Sequence, residues 1–445
     1  MKKTLLLTLA FGLAGASPLM ADVDLYITGS TAFRASCYNA CTKLFTVPPT
    51  TNNGTLFFGD AAHGGDANDN NGTASWCMTG TPIGTLTNIQ GGQLTIHGLF
   101  TGSIQGIQTV ENQVPLTFAT TTAGVYSTNT PTIAFSDASG TSSPYPATGN
   151  FSEENVCVQP FTMCRAVPAN GVTNINNVTW EQMEYGIPKG RLPLSAWTLN
   201  PADTNFVYII ERTSDSGTRR CFTAQEYYQF GDTLTAYIYD KTNNFFFKGT
   251  NEVNSLVGTF PDGVVGAAGL GNANLNWGSG YVGGGDIKNE LNINNTNNLA
   301  IAFLSINDSK GVGASNWSTV IPFNGLWPTA AGSGIHGNTG TNDFGPITSG
   351  LYPCWGYEVL VYPNIDPTSV PGEVGQNLTA SQLGSQTQPG SILGVLDSQT
   401  LINGGSPIVG SIENEILLTE PSGATGIRLS EMNSSRQSVG GTITP

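Results

Sequence analysis

The chain has 445 residues, and its 31 Asp and Glu residues outnumber its 16 Lys and Arg residues, which gives a formal net charge of −15 at pH 7. A chain this acidic is not expected to bind nucleic acid, which requires a basic surface. Only 11% of the residues are charged and 56 are glycine; this composition suits a β-rich extracellular protein, and the length predicts two or more domains.

The first 21 residues have the pattern of an export signal. Lys2 and Lys3 supply positive charge, residues 5–16 form an apolar run, and residues 19–21 resemble a small-residue cleavage site. The sequence therefore predicts a mature protein that begins near Asp22 and lies in the periplasm or outside the cell. No later segment reaches the ~18–20 uninterrupted apolar residues of a membrane span, so stable membrane insertion is not expected.

The first elements predicted after the signal are a short strand at residues 24–27 and a helix at residues 33–44. Ser30 or Thr31, in the turn between them, is a natural N-cap for that helix. A strand, a Gly-Ser-Thr turn and a helix in this order present backbone N–H groups to an anion. Residues 50–75, rich in Asn, Gly and Asp, are predicted to form a surface loop.

Further along the chain, apolar runs predict strands and helical spacing predicts helices. The predicted strands are residues 94–100, 132–135, 206–210, 299–304 and 355–361, and an apolar stretch at residues 156–167 is expected to cross between lobes. A short segment at residues 104–110 follows the turn at Gly102-Ser103, and the predicted helices are a short one that opens at Trp180 and one at residues 219–230. The Gly/Asn/Ser-rich segments 266–298 and 366–445 are expected to be peripheral.

The chain has seven cysteines and three histidines, which limits the disulfides and metal sites that it can form. In an exported protein, seven cysteines predict two or three disulfides with at least one thiol unpaired. Cys37 and Cys41, four residues apart in a predicted helix, are interpreted as small buried hydrophobes, and a disulfide to a partner elsewhere is the alternative. No histidine lies near a cysteine in sequence, so no metal site and no cofactor is predicted.

Four segments share one design, in which an apolar strand is followed by small hydroxylated residues and usually by the start of a helix. Ligands of open α/β sheets bind at such strand ends. The four segments are Gly29-Ser30-Thr31, Gly102-Ser103, Ser136-Asp137 and the stretch from Arg212 to Ser216-Gly217-Thr218.

In their order, these segments resemble the anion-binding turns of the phosphate-binding proteins of bacterial phosphate ABC transporters, which belong to the type II periplasmic-binding-protein superfamily. The most specific match is an Arg followed four residues later by Ser-Gly-Thr, here Arg212 and residues 216–218. The resemblance extends over residues 24–362 with long insertions, so the chain is a long, divergent relative. It departs from the family at Ser214-Asp215, where Asp-Gly is usual.

The resemblance implies an α/β, two-lobed fold with a hinge and long Gly/Asn-rich loop insertions. Lobe 1 would comprise residues 22–158 and 347–445, with 366–445 as a peripheral tail, and lobe 2 residues 159–346. The implied function is the capture of inorganic phosphate between the lobes by a monomer that serves an ABC-transporter permease, without catalysis. The implied phosphate-binding residues are Ser30, Thr31, Ser103, Ser136, Asp137, Arg212, Ser216, Gly217 and Thr218.

Two of these residues have specific chemical roles and specific alternatives. Arg212 offers a bidentate, charge-assisted contact to an oxyanion; its alternative is a structural ion pair with Glu211 or Asp215. Asp137, when ionised, only accepts hydrogen bonds, so it would select monohydrogen phosphate over sulfate; its alternative is a turn cap.

Other functions stay open at the level of the sequence. The same fold would suit another oxyanion, and the long Gly/Asn/Thr-rich loops also suit a secreted surface or adhesion protein. An extracellular hydrolase is disfavoured because none of the three histidines lies in a recognisable catalytic motif.

Overall fold

The computed structural model describes residues 22–60, 74–89, 91–143, 151–167, 174–213, 216–225, 237–240, 245–248, 280–281, 283–293, 299–309, 312, 319–329, 344–363, 380–383, 391–397, 401–402, 406–407, 411–412, 426–436 and 443–444. The predicted export signal and the pair Ser214-Asp215 lie outside these residues. No helix in the described part of the chain combines the length and apolar character that a bilayer crossing requires.

The described elements alternate between strands and helices along much of the chain. The strands are β1 Val23–Gly29, β2 Leu56–Phe58, β3 Ser75–Gly80, β4 Leu94–Leu99, β5 Leu116–Ala119, β6 Tyr126–Asn129, β7 Ile133–Ser136, β8 Phe151–Arg165, β9 Arg191–Pro193, β10 Phe206–Ile209, β11 Tyr237–Asp240, β12 Phe245–Lys248, β13 Ala300–Ser305, β14 Val320–Ile321, β15 Trp355–Pro363, β16 Leu401–Ile402, β17 Ser406–Pro407, β18 Ser435–Arg436 and β19 Ile443–Thr444. The helices are α1 Arg34–Thr42, α2 Ser103–Glu111, α3 Trp180–Gly186, α4 Ser195–Thr198, α5 Gly217–Gln225, α6 Gly284–Leu291, α7 Ile306–Ser309, α8 Gly345–Thr348, α9 Ala380–Leu383 and α10 Ile392–Leu396. The fold is a mixed α/β fold.

Among the described residues, one large sheet carries the strand order β2-β3-β4-β1-β7-β15-β8-β13-β10-β9, with β14 paired to β8. Strand β1 is parallel to both β4 and β7, and β10 is parallel to β13. The other pairs in this sheet are antiparallel. Val23, Leu25 and Ile27 of β1 are buried together with Tyr26 between them, which is the burial expected of a parallel strand covered on both faces.

The long strand β8 joins the two parallel groups. Its first half pairs with β15, and its second half pairs with β13, where Ser305 lies opposite Phe161 and Ile301 lies opposite Arg165. Both β7 and β8 are antiparallel to β15, so β7 runs in the direction of β8 while β13 runs against it. The carboxyl ends of the two parallel groups therefore face each other near the middle of β8.

Each parallel group packs against its own hydrophobic core. The first core contains side chains of β1, α1, β4 and β7, with Phe33 against Phe135 at 5.1 Å between ring centroids. The second core contains side chains of β10, α5 and β13, with Phe222 stacked on Phe303 at 4.2 Å. The lobe boundaries near residues 158 and 347 stay a prediction.

Where the structure describes the residues, the helix and strand predictions agree with these elements except near the first turn and in the loop that follows α1. Residues 226–230 of the predicted helix 219–230 lie outside the described residues. Helix α1 begins at Arg34 with Phe33 as its N-cap, and no side chain caps it. Ser30 instead accepts a hydrogen bond from the Phe33 backbone N–H at 3.3 Å, within the preceding turn. The predicted loop at residues 50–75 contains β2, which pairs with β3. A strand of three residues is too short to show an alternation of apolar and polar residues in the sequence.

Two segments expected to be peripheral contribute buried side chains where the structure describes them. Helix α6 places Ile287 and Leu291 in the second core. In the tail, Ile392 and Leu396 of α10 lie in the first core, and Ile427 forms a bridge with Val158 of β8. High Gly and Asn content in the flanking residues concealed these short apolar runs.

The seven cysteines are all buried, and none of them forms a disulfide in this structure. Cys37 and Cys41 lie in the first core with their Sγ atoms 3.9 Å apart, and their interpretation as small buried hydrophobes is confirmed. The prediction of two or three disulfides is wrong for this structure, in which six of the seven thiols pack in the two hydrophobic cores instead.

Candidate anion-binding site

The facing strand ends bring Ser30, Ser103 and Asp137 to one place. They follow β1, β4 and β7, which are adjacent and parallel. Parallel strands carry their C-terminal turns on the same edge of the sheet, and this edge is where ligands of α/β proteins bind. Their proximity was predicted from the order of these turns.

Glycines permit this close approach of the turns. Gly29 has φ of +118°, and a Cβ at this position would lie 1.9 Å from the Phe135 carbonyl oxygen. A Cβ on Gly106 of α2 would lie 2.7 Å from the Gly29 Cα atom. Helix α2 therefore packs directly on the end of β1 because neither position carries a side chain.

Asp137 is buried at the centre of this cluster. Its Oδ1 atom accepts a hydrogen bond from the Ser30 hydroxyl, and its Oδ2 atom accepts one from Thr218 Oγ1 at 2.8 Å. Its backbone N–H donates to Ser103 Oγ at 3.3 Å. Since Ser30 and Ser103 lie beside the first parallel group and Thr218 lies on α5, one carboxylate links the two groups.

The N-terminus of α5 is pressed against these turns. A Cβ on Gly217 would lie 2.5 Å from Ser103 Oγ and 2.8 Å from Asp137 Cβ. Ser216 precedes the helix, and its hydroxyl accepts a hydrogen bond from the Arg219 backbone N–H at 3.2 Å, as an N-cap does. The positive end of the helix macrodipole is thereby aimed at the carboxylate of Asp137.

Replacing Gly217 with alanine is expected to lower the free energy of unfolding by about 1–2 kcal/mol, because the new methyl group overpacks this contact. Urea denaturation measures the change. Gly285→Ala is the matched control, since it also lies in the first turn of a helix and its Cβ would meet nothing within 4 Å. Equal stabilities for the two variants would contradict the close contact at Gly217.

Arg212 lies next to this cluster with its side chain directed at the first turn. Its Nη2 atom donates to Thr31 Oγ1 at 3.1 Å. Burial lowers the pKa of Arg212, and the carboxylates of Asp308, Asp137 and Asp286 act in the opposite direction. The guanidinium is therefore a buried cation held among acidic groups, and one hydroxyl of the predicted site is already bound to it.

Glu211 pairs with Arg219 and not with Arg212. Arg219 Nε lies 3.0 Å from Glu211 Oε2, and Arg219 Nη1 donates to the Arg212 carbonyl oxygen at 3.1 Å. Burial raises the pKa of Glu211 to about 7, against the opposing effect of Arg219. The alternative in which Glu211 neutralises Arg212 is therefore wrong, and Asp215 lies outside the described residues.

Ser136 differs from the other predicted site residues. Its hydroxyl donates to the Ala138 carbonyl oxygen at 2.5 Å and accepts from the Ala138 backbone N–H at 3.1 Å. Both bonds close the turn after β7. Ser136 therefore makes a local turn contact. Most of the other predicted residues make the contacts around Asp137 and Arg212 that are described above; they are Ser30, Thr31, Ser103, Asp137, Arg212, Gly217 and Thr218.

Several residues around the site were not singled out from the sequence. Asp308 follows β13, the facing strand end, and Asp286 lies on α6; both carboxylates act on Arg212. The strand-end rule applied to residues 300–305 would have found Asp308. Glu358 of β15 interacts with Asp137, and nothing in its local sequence distinguishes it from an ordinary strand residue.

Comparison with known proteins gives structural similarity without sequence similarity. No family profile matches the chain, and no curated protein matches it in sequence. The structure is similar to an ABC-type phosphate transport receptor from Vibrio cholerae, with a TM-score of 0.38 and 14% identity over 77% of this chain and 88% of the other. It is also similar to PstS from Borrelia burgdorferi (TM-score 0.32, 12% identity, 77% and 88% covered) and to a phosphate-binding protein from Stenotrophomonas maltophilia (0.34, 13%, 76% and 78%). The TM-scores and identities are too low for the properties of these proteins to be transferred to this chain.

Proposed function

We propose that this protein is an extracytoplasmic solute-binding protein that captures inorganic phosphate between two lobes. The observation that supports it is the buried Asp137 carboxylate, which accepts hydrogen bonds from Ser30 and Thr218 on facing groups of strands and helices. Arg212 lies beside it as a buried cation. Hydroxyl donors, one guanidinium and one carboxylate acceptor are the groups that a protonated oxyanion requires.

The donors suit a dianion because enclosing it removes its water. That loss must be offset by several fixed hydrogen bonds. The hydroxyls of Ser30, Ser103 and Thr218 and the guanidinium of Arg212 are close enough to one another to supply them, and the first turns of α2 and α5 add backbone N–H groups and partial positive charge. Each hydroxyl now bound to Asp137 can rotate to donate to a ligand oxygen instead.

The acceptor explains why phosphate is the ligand of choice. As a carboxylate, Asp137 accepts a hydrogen bond from the remaining O–H of monohydrogen phosphate, whereas sulfate has no proton to donate. Two acceptors opposed in a water-poor site are unfavourable, so sulfate is penalised. The same carboxylate would therefore give affinity for one anion and discrimination against the other.

Purified protein freed of phosphate is expected to bind one phosphate per chain with a Kd of about 1 μM or lower, equivalent to about −8 kcal/mol. Isothermal titration calorimetry at pH 7.5 measures the affinity and stoichiometry, with sulfate as the comparison anion. No heat and no thermal shift at millimolar phosphate would contradict the proposal. Tight binding of sulfate would instead favour a different oxyanion on the same site.

The cellular setting completes the proposal. Residues 1–21 would direct export to the periplasm or the cell exterior, and the lobes, residues 22–158 with 347–445 and residues 159–346, would close on the ligand about a hinge. The captured phosphate would then be delivered by a monomer to an ABC-transporter permease. The tail after residue 365 would be part of the first lobe, because its helix α10 packs in the first core.

A further inference from the structure

Glu358 lies directly behind the candidate site, in β15. In the pairing of β15 with β7, Val359 lies opposite Ser136, the last residue of β7 and the neighbour of Asp137, and the Glu358 carboxyl interacts with that of Asp137. A Cβ on Gly356, two residues earlier in the strand, would lie 3.3 Å from the Asp137 carbonyl oxygen. Residues on one face of a strand recur every second position, so Glu358 and Gly356 share the face next to Asp137.

The Glu358 carboxyl is fully buried, with 0% of its residue surface exposed. Among the described residues, neither of its oxygens has a hydrogen-bond donor beside it, and the polar group with which it interacts is the carboxyl of Asp137. Burial raises the pKa of Glu358 well above its usual range, and the charge and hydrogen bond of Asp137 raise it further. An ionised carboxylate without donors is untenable in such a place, so Glu358 holds its proton at neutral pH.

We propose that Glu358 is a positioning residue that sets anion specificity: it donates its proton in a hydrogen bond to Asp137 and so holds that carboxylate as a hydrogen-bond acceptor toward a bound oxyanion. In the structure, the hydroxyls of Ser30 and Thr218 donate to Asp137. When they turn to a ligand, Asp137 loses both donors, and Glu358 is the donor that stays. Its effect on specificity rests on the proposed function, whereas its protonation does not.

Other titratable groups face Glu358 from the neighbouring elements. Cys157 lies opposite Glu358 in β8, and Glu358 is close enough to the thiols of Cys37 in α1 and Cys221 in α5 to interact with them. Burial raises the pKa of both of these thiols well above the usual range, so they stay neutral in the range of interest. Arg220 and Arg436 act on Cys221, while the group that acts on Glu358 itself is Asp137.

The protonation of Glu358 is tested on ligand-free protein by comparing wild type with Glu358→Gln. A buried acid whose pKa is raised on folding contributes stability below its unfolded pKa, near 4.3, and loses it as the pH rises through the folded pKa. The Tm of wild type is therefore expected to fall by roughly 5 °C or more relative to Glu358→Gln between about pH 5 and about pH 8. Glu184→Gln, at an exposed position of α3, is the control and should show no such trend.

The specificity role is tested by phosphate and sulfate titrations of wild type, Glu358→Gln and Glu358→Leu at pH 7.5. The amide of Gln still donates to Asp137, so the phosphate-to-sulfate affinity ratio should stay within about threefold of wild type. Leu cannot donate, so Asp137 is no longer held as an acceptor toward the ligand, and the phosphate-to-sulfate affinity ratio should fall about tenfold or more.

Each result decides a distinct point. If the Tm of wild type does not fall relative to that of Glu358→Gln as the pH rises, or if it rises, the claim that Glu358 is protonated at neutral pH is wrong. If Glu358→Leu has the same phosphate-to-sulfate affinity ratio as wild type, Glu358 does not set specificity, even if the expected Tm difference is found. If wild-type protein binds neither anion, the proposed function and the specificity role both fail, and the Tm profiles still decide the protonation of Glu358.

Discussion

Replacing Arg212 with alanine is expected to weaken phosphate binding at least about 30-fold, which corresponds to about 2 kcal/mol. The guanidinium is the buried cation beside Asp137, and its loss would leave the carboxylates of Asp137, Asp286 and Asp308 without their counter-charge, opposite an anion. Isothermal titration calorimetry measures the affinity, and circular dichroism verifies that the variant is folded.

Two further variants make the test of Arg212 specific. Arg212→Lys should not restore full affinity, because a single ammonium cannot reproduce the bidentate geometry of the guanidinium. Arg191→Ala is the matched control: Arg191 lies over the Phe206 ring at 4.4 Å on the outer strand β9, so its removal should leave phosphate affinity unchanged. Wild-type affinity in Arg212→Ala would mean that the anion binds elsewhere.

Replacing Asp137 with asparagine is expected to raise sulfate affinity by about tenfold or more and to change phosphate affinity less. The substitution replaces one acceptor oxygen with an amide donor at nearly constant shape, so a sulfate oxygen no longer faces an acceptor. The amide oxygen still accepts a hydrogen bond from the O–H of monohydrogen phosphate. Titrations of both anions against both proteins measure the ratio directly.

The alternative role of Asp137 as a turn cap predicts a different result. In that case Asp137→Asn should cost a little stability and leave the phosphate-to-sulfate ratio unchanged. Asp203→Asn is the matched control for this outcome, because Asp203 Oδ2 accepts a hydrogen bond from Thr198 Oγ1 at 2.5 Å in the turn between α4 and β10. A ratio that behaves alike in the two variants would remove Asp137 from the site.

Much of the candidate site was predictable because its parts are local. The segments at Ser30, Ser103 and Asp137 each combine an apolar strand, a turn residue and a helix start or turn, and these signals depend on a few neighbouring residues. The helix after Ser216 was predictable for the same reason. Ser136 was assigned to the site with them, but which way a hydroxyl turns depends on its own turn, and here it bonds Ala138.

Pairings between distant parts of the chain were not predictable. Arg219 takes Glu211 as its partner, although Arg212 is adjacent in sequence to that glutamate. Short runs such as residues 392–396 carry too few residues for a periodic pattern, yet α10 is buried in the first core. In both cases the outcome depends on which surfaces are brought together, and a single sequence does not encode that locally.

The sequence by itself determined the acidic character of the chain, several of its strands and helices, and the chemical types at the strand ends of the candidate site, because composition, periodicity and turn chemistry are properties of short segments. Only the tertiary structure decided that the two parallel groups face each other at the middle of β8, that Gly217 packs on Ser103 and Asp137, and that Glu358 is buried behind the carboxylate. These contacts join residues far apart in the chain. They form because burying apolar strands in two cores fixes the strand register, and the register then dictates which polar groups meet.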